Sequence, residues 1–138
     1  MPSRARPMIG LCLLALVLVL PACASLSLSG PPAVPITSFA GVAGKWEGLV
    51  TWSAPSRRDD WVELAIAGDG RYQFGSFRLI GTAMGGGQLT LKDGQLSSAS
   101  ERGQARYVLH EGEGTRQLRV TGGLPDGRTF DAVLTPAR

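Results

Sequence analysis

One histidine, two cysteines, two closely spaced acidic pairs and three tryptophans are the residues of this 138-residue chain best equipped for chemistry. A general base needs a positioned proton donor within hydrogen-bond reach. His110 falls on the outward parity of an alternating run, and no Ser or Cys nucleophile is placed beside it, so a solvated histidine is expected. Asp59-Asp60 follow Arg57-Arg58 after Pro55 and read as a self-neutralising surface run, not a carboxylate pair or metal site. Glu111 and Glu113 flank Gly112 in a tight turn without calcium-loop spacing. Gly85-Gly86-Gly87 lacks the Lys-Ser/Thr of a phosphate cradle and reads as a corner. The expectation is a non-catalytic protein with no metal and no cofactor.

The cysteines point to an address instead. Arg4 and Arg6 precede an uncharged apolar run from Ile9 to Leu20, followed by Leu20-Pro21-Ala22-Cys23. A positive region, an apolar region and a small residue before the cut are the parts of an export signal. The run is short for a spanning helix, which needs about 20 apolar residues. An aliphatic residue, a variable one, a small one and then cysteine resemble the lipobox of bacterial lipoproteins. That resemblance implies cleavage after residue 22, a diacylglyceryl thioether on Cys23, usually a third, amide-linked chain, and so palmitate-type membrane anchoring. Ala24 stands where an aspartate would retain such a protein at the inner membrane, so the outer membrane is the favoured destination in a two-membrane envelope. Cys12 would leave with the signal. The mature chain would then hold no thiol, which excludes a disulfide framework, a thiolate zinc site and a cysteine nucleophile.

The formal net charge of +3 includes Arg4 and Arg6, so the mature protein is nearly neutral and nucleic acid is not an expected partner. Residues 23–35 read ASLSLSGPPAVP after the cysteine, a tether that could reach about 40 Å when extended at ~3.5 Å per residue. Residues 36–138 are left as one domain, large enough for a core without cross-links.

Within that domain the apolar period is two, and helical spacing is confined to a short turn around Ser38 to Ala43. Trp46, Gly48, Val50 and Trp52 alternate with Lys45, Glu47 and Thr51, leaving Leu49 as the exposed apolar residue of its strand. Val62, Leu64 and Ile66 follow. Asp69-Gly70 and Asp93-Gly94 mark hairpins. Tyr107 and Leu109, Leu118 and Val120, then Phe130, Ala132 and Leu134 supply further inward sets. Seven to nine short strands joined by tight turns predict an all-β antiparallel meander of about eight strands. A barrel is preferred over a sandwich because closure removes exposed edges.

Gly44-Lys45-Trp46 resembles the G-x-W signature of lipocalins, a resemblance that implies a barrel with the indole plugging one end. Trp46, Trp52, Tyr72, Phe74 and Tyr107 are the candidate core or ligand residues, and Trp61, like Trp46 and Trp52, is read as core or rim packing. A cavity of roughly 300 Å³ or more lined by Trp52, Tyr72, Phe74 and Tyr107 would suit a carrier of a small lipophile, and a filled interior would suit a surface module. Arg106, Arg119 and Arg128 lie on strands expected to be neighbours and could form a basic patch facing anionic headgroups or an acidic partner. The leading function is a membrane-anchored envelope lipoprotein acting as a non-catalytic binding or structural module that contacts another envelope protein or the wall. A lipocalin-like carrier comes next, and a hydrolase inhibitor, which usually carries a disulfide, comes third.

Overall fold

A computed structural model describes residues 30–53, 58–76 and 83–138. The export signal, Cys23 and the segment 77–82 lie outside the described residues. Strand β1 is Ala33–Val34, and a 3-10 turn at Phe39–Gly41 leads into β2, Gly44–Trp52. Then come β3 (Arg58–Ile66), β4 (Arg71–Ser76), β5 (Ala83–Gln88), β6 (Thr90–Lys92), β7 (Gln95–Ser100), β8 (Gly103–Gly112), β9 (Thr115–Gly123) and β10 (Thr129–Pro136). The order across the sheet is β5-β4-β3-β2-β10-β9-β8-β7-β6, with β1 added to β8, and each pairing is antiparallel.

The first and last long strands meet: β2 pairs β10 from Trp52↔Phe130 to Trp46↔Pro136. The two free ends of the sheet, β5 and β6, are consecutive in the chain and separated by Leu89 alone. One run of backbone therefore leaves β4 and joins β7, and the meander becomes a nearly closed barrel. With β5 and β6 taken as one interrupted strand, and the two-residue β1 set aside, the barrel has the eight staves expected. The interruption is pinned to the β3–β4 turn, where Leu89 N–H donates to the Gly70 carbonyl at 2.9 Å and the Gln88 amide to the Asp69 carbonyl at 2.9 Å.

Alternation places Trp46, Val50, Leu64, Ile66, Leu96, Tyr107, Leu109, Leu118, Val120, Ala132 and Leu134 in one buried cluster, closed by Val42, Ile36 and Leu89. Asp69-Gly70 and Asp93-Gly94 are hairpin turns as expected, with Gly70, Asp93 and Gly94 at positive φ. Gly48 is the inward residue at the β2–β10 seam. A Cβ there would lie 2.2 Å from the Val133 carbonyl oxygen, so only glycine lets the two backbones approach.

Two expectations are corrected. Gly85-Gly86-Gly87 is not a corner but the body of β5, which lies flush under two aromatics of β4: Phe74 opposes Gly85 and Tyr72 opposes Gly87. A Cβ on Gly85 would sit 2.4 Å from the Phe74 ring, so the missing side chains make room for the rings. The tether, expected to run through Pro35, is folded from Gly30 onward. Ala33 and Val34 pair with His110 and Leu109, and Glu111 N–H donates to the Pro32 carbonyl at 3.1 Å.

Trp46 is 2% exposed and lies at the end of the barrel that the 3-10 turn covers. Trp46→Ala is expected to cost about 3 to 5 kcal/mol of stability, read as a lower midpoint in urea unfolding. A loss below about 1 kcal/mol would contradict its role in the core.

Candidate functional site

The covered end of the barrel is chemically quiet. The Trp46 indole N–H donates to the Val42 carbonyl at 2.8 Å, and the Arg116 guanidinium carbon lies 5.3 Å from the ring centroid in a cation–π contact. Arg116 also donates to Glu111 at 2.6 Å and to the Gly41 carbonyl, tying β9 to the 3-10 turn. The indole N–H is satisfied within the protein and the guanidinium is held by Glu111 and Gly41, so Trp46 acts as a structural plug. His110 is half-buried, not solvated as expected, and its Nδ1–H donates to the Pro31 carbonyl at 2.8 Å. That bond holds the N-terminal strap against β8.

In the interior, Tyr107 and Ser98 share a hydrogen bond at 3.2 Å, and the Tyr72 ring meets Tyr107 edge-on at 6.5 Å between centroids. Burial pushes the Tyr107 hydroxyl up to about 12, partly opposed by the Ser98 bond. Asp60 is also inside, at 4% exposure, and it has an interaction partner. The expected surface run Asp59-Asp60 is therefore split. Asp60 shares the parity of Leu64 and Ile66, whereas Asp59 faces out and accepts from the Thr51 hydroxyl at 2.7 Å. Extending the period of two back from Val62 would have revealed this.

The aromatics expected to line one cavity separate into two sets. Tyr72 and Tyr107 pack together inside. Trp52 stacks obliquely on Phe130 at 5.4 Å near the opposite, open end, with the Arg128 guanidinium 5.8 Å above the indole. Phe74 has inward parity but is 38% exposed, because it spreads over Gly85 near the sheet margin. The Trp52 indole N–H is buried and makes no hydrogen bond among the described residues.

The expected basic patch is reduced in the same way. Arg106 and Arg119 do face outward on the neighbouring strands β8 and β9. Arg119 grips Asp131 with two nitrogens, which raises its pKa, and Arg128 is bound to Asp126 at 2.7 Å. Two of the three charges are thus compensated locally, leaving Arg106 as the remaining cation of that set.

The outer wall carries a feature that residue types alone do not disclose. Trp61 on β3 stands directly opposite Leu49 on β2, and Leu49 stands opposite Val133 on β10. Their exposures are 39%, 54% and 47%, and among the described residues Phe74 is the other large apolar side chain so exposed. Directly opposed side chains have Cβ atoms about 5 Å apart, so the three form one continuous apolar row. Beside it, Leu49, Thr51, Arg119, Asp131 and Val133 line a shallow groove of about 310 Å³. A second concavity of about 430 Å³ shares Thr51 and Asp131 and reaches the rim at Trp52, Gly122 and Phe130. One step toward the covered end, Glu47 directly opposes Glu63, and among the described residues neither has an ion-pair partner. Sequence reading identified Leu49 as exposed but assigned Trp61 to core or rim packing. The signal was its parity, opposite to that of Val62, Leu64 and Ile66.

Comparison with known proteins finds no matching family model, no matching curated protein and no matching solved structure.

The buried tyrosine gives a pH signature. Because its folded pKa lies above the ordinary value of 10.0, its stabilising contribution is intact below pH 10 and is lost as pH rises from about 10 toward 12. At about 1.4 kcal/mol per pKa unit the loss approaches about 3 kcal/mol. Unfolding midpoints measured at intervals across that window should fall in the parent and fall distinctly less in Tyr107→Phe. Equal slopes would contradict the burial of the hydroxyl.

Proposed function

We propose that this chain is a lipid-anchored protein of the bacterial cell envelope, held by Cys23 and favouring the outer membrane, whose barrel is a non-catalytic binding module acting through its outer wall. The observation that carries the reading is the in-register row Trp61–Leu49–Val133. Contiguous exposed apolar surface on a soluble domain marks an interaction site. The interior supports the same reading, since a buried cluster of leucines and aromatics occupies it. The polar groups inside, Tyr107, Ser98 and Asp60, are engaged with partners. The described chain enters the barrel at the covered end, through Pro31 to Val34 against β8, opposite the rim at Trp52.

One observation favours a second reading, a carrier of a small lipophile. The unpartnered indole N–H of Trp52 is a buried donor, and such a group calls for an acceptor. A fluorescent lipophile titrated into the full-length protein should bind saturably, and Trp52→Phe should weaken that binding, on this reading alone.

The anchor itself is tested by metabolic palmitate labelling with membrane fractionation. The parent should incorporate label and sediment with membranes, and Cys23→Ala should lose both properties. Labelling that persists in Cys23→Ala would overturn the lipoprotein reading.

A further inference from the structure

We infer that the Trp61–Leu49–Val133 row, with Glu47 and Glu63 beside it, is a docking surface for a basic amphipathic segment of another envelope polypeptide. The inference deepens the binding-module reading and rests on it. The row and its acidic margin are adjacent in register: Glu47↔Glu63 is two residues along from Leu49↔Trp61, on the same outward face. Like charges placed directly opposite on neighbouring strands destabilise a sheet. Here the cost goes unrelieved by any ion pair among the described residues. A cation brought in by a partner would relieve it, while apolar side chains of the same segment would cover Trp61, Leu49 and Val133.

The charge also discriminates among occupants. On the other side of the row lie Asp59 and Asp131, the latter held by Arg119. A two-fold contact between copies would lay the Glu47–Glu63 pair of one molecule against either the same pair or Asp59 of the other, acid against acid in both cases, while Asp131 is neutralised by Arg119. Anionic lipid headgroups meet the same repulsion. A cationic polypeptide meets Glu47 and Glu63 next to the row, with Lys45 one further step away on the same face and Arg119 already paired to Asp131. The partner must be recognised through side chains, because β2 is hydrogen-bonded to β3 and β10, and β10 to β2 and β9, so no backbone edge is free at this site. A three-residue row with a shallow groove places the contact at the small, reversible end of protein interfaces.

The test is photo-crosslinking in intact cells, with a benzophenone amino acid at Leu49 of the full-length chain and, as control, at exposed Gln73. The expected result is a discrete adduct from position 49 alone, with the crosslinked partner residue lying in a segment of alternating apolar and Lys or Arg residues. The decisive variant is Glu63→Lys. It removes the like-charge opposition, so the thermal midpoint should hold or rise, while the adduct yield from position 49 should fall at least about fivefold. A merely structural role for Glu63 would move stability and leave the yield unchanged, and that result would overturn the proposal. An adduct of twice the chain mass, a lipid adduct, an adduct to an acidic segment, or no adduct above the Gln73 control would each overturn it too. Palmitate labelling of the same cells separates the two levels: an unlabelled chain that still gives the charge-dependent adduct sinks the lipoprotein assignment and leaves the docking surface standing.

Discussion

The pairing of β2 with β10 governs everything else in this molecule. Without it the strands would form an open meander with two long unpaired edges and no enclosed interior. With it, Trp46, Val50, Ala132 and Leu134 face a common centre, and the opposite faces of the same residues' neighbours become a continuous outer wall. The close approach at Gly48 is what this seam requires, since any side chain would collide with the Val133 backbone. The same register that buries Leu134 beside Gly48 sets Val133 beside Leu49, so core and docking wall are two readouts of one alignment. A one-residue slip would exchange them.

Local information carried far in this sequence. The period of two named the inward residues of β2, β8, β9 and β10, and the Asp-Gly pairs located the hairpins that join β3 to β4 and β6 to β7. What failed was whatever depended on a distant neighbour. Gly85-Gly86-Gly87 looks like a breaker until Tyr72 and Phe74 are laid over it. Pro31 to Val34 looks like a tether until β8 offers it a partner. Asp60 looks solvated because charge suggests the surface, yet its parity belongs to the core. The apolar row was hidden for the same reason: Trp61, Leu49 and Val133 are scattered in sequence and meet only when β3, β2 and β10 are aligned.

The division of labour within the barrel follows from these alignments. At the covered end, Trp46 and Arg116 consume one another's interactions, and the 3-10 turn and β1 seal what remains. Ion pairs on the flanks are short-range and self-contained: Asp69 with Arg71, Asp126 with Arg128. Each lies in a turn where the arginine also donates its backbone N–H to the aspartate, which lowers the carboxyl pKa. Exposed pairs of this kind add little stability, but they fix turn geometry and neutralise charge. Among the described residues, Glu47 and Glu63 beside the apolar row, Lys45, Arg106 and the indole N–H of Trp52 stay outside these local pairings.

Under the proposed anchoring at Cys23, the strap formed by Pro31 to Val34 has a mechanical meaning. Tension arriving along the chain reaches this segment first, and it is held by few bonds: the short β1 ladder, the Pro32 and Pro31 carbonyls, and Ile36 N–H on the Gly94 carbonyl. Beyond it, β2 is stitched along its length to two neighbours. Pulled from that end, the four residues of the strap would peel first, lengthening the leash by at most about 14 Å at ~3.4 Å per residue. Under the proposed anchoring and docking it would work as a fuse, yielding to displacement between the membrane and a partner while the barrel keeps its shape.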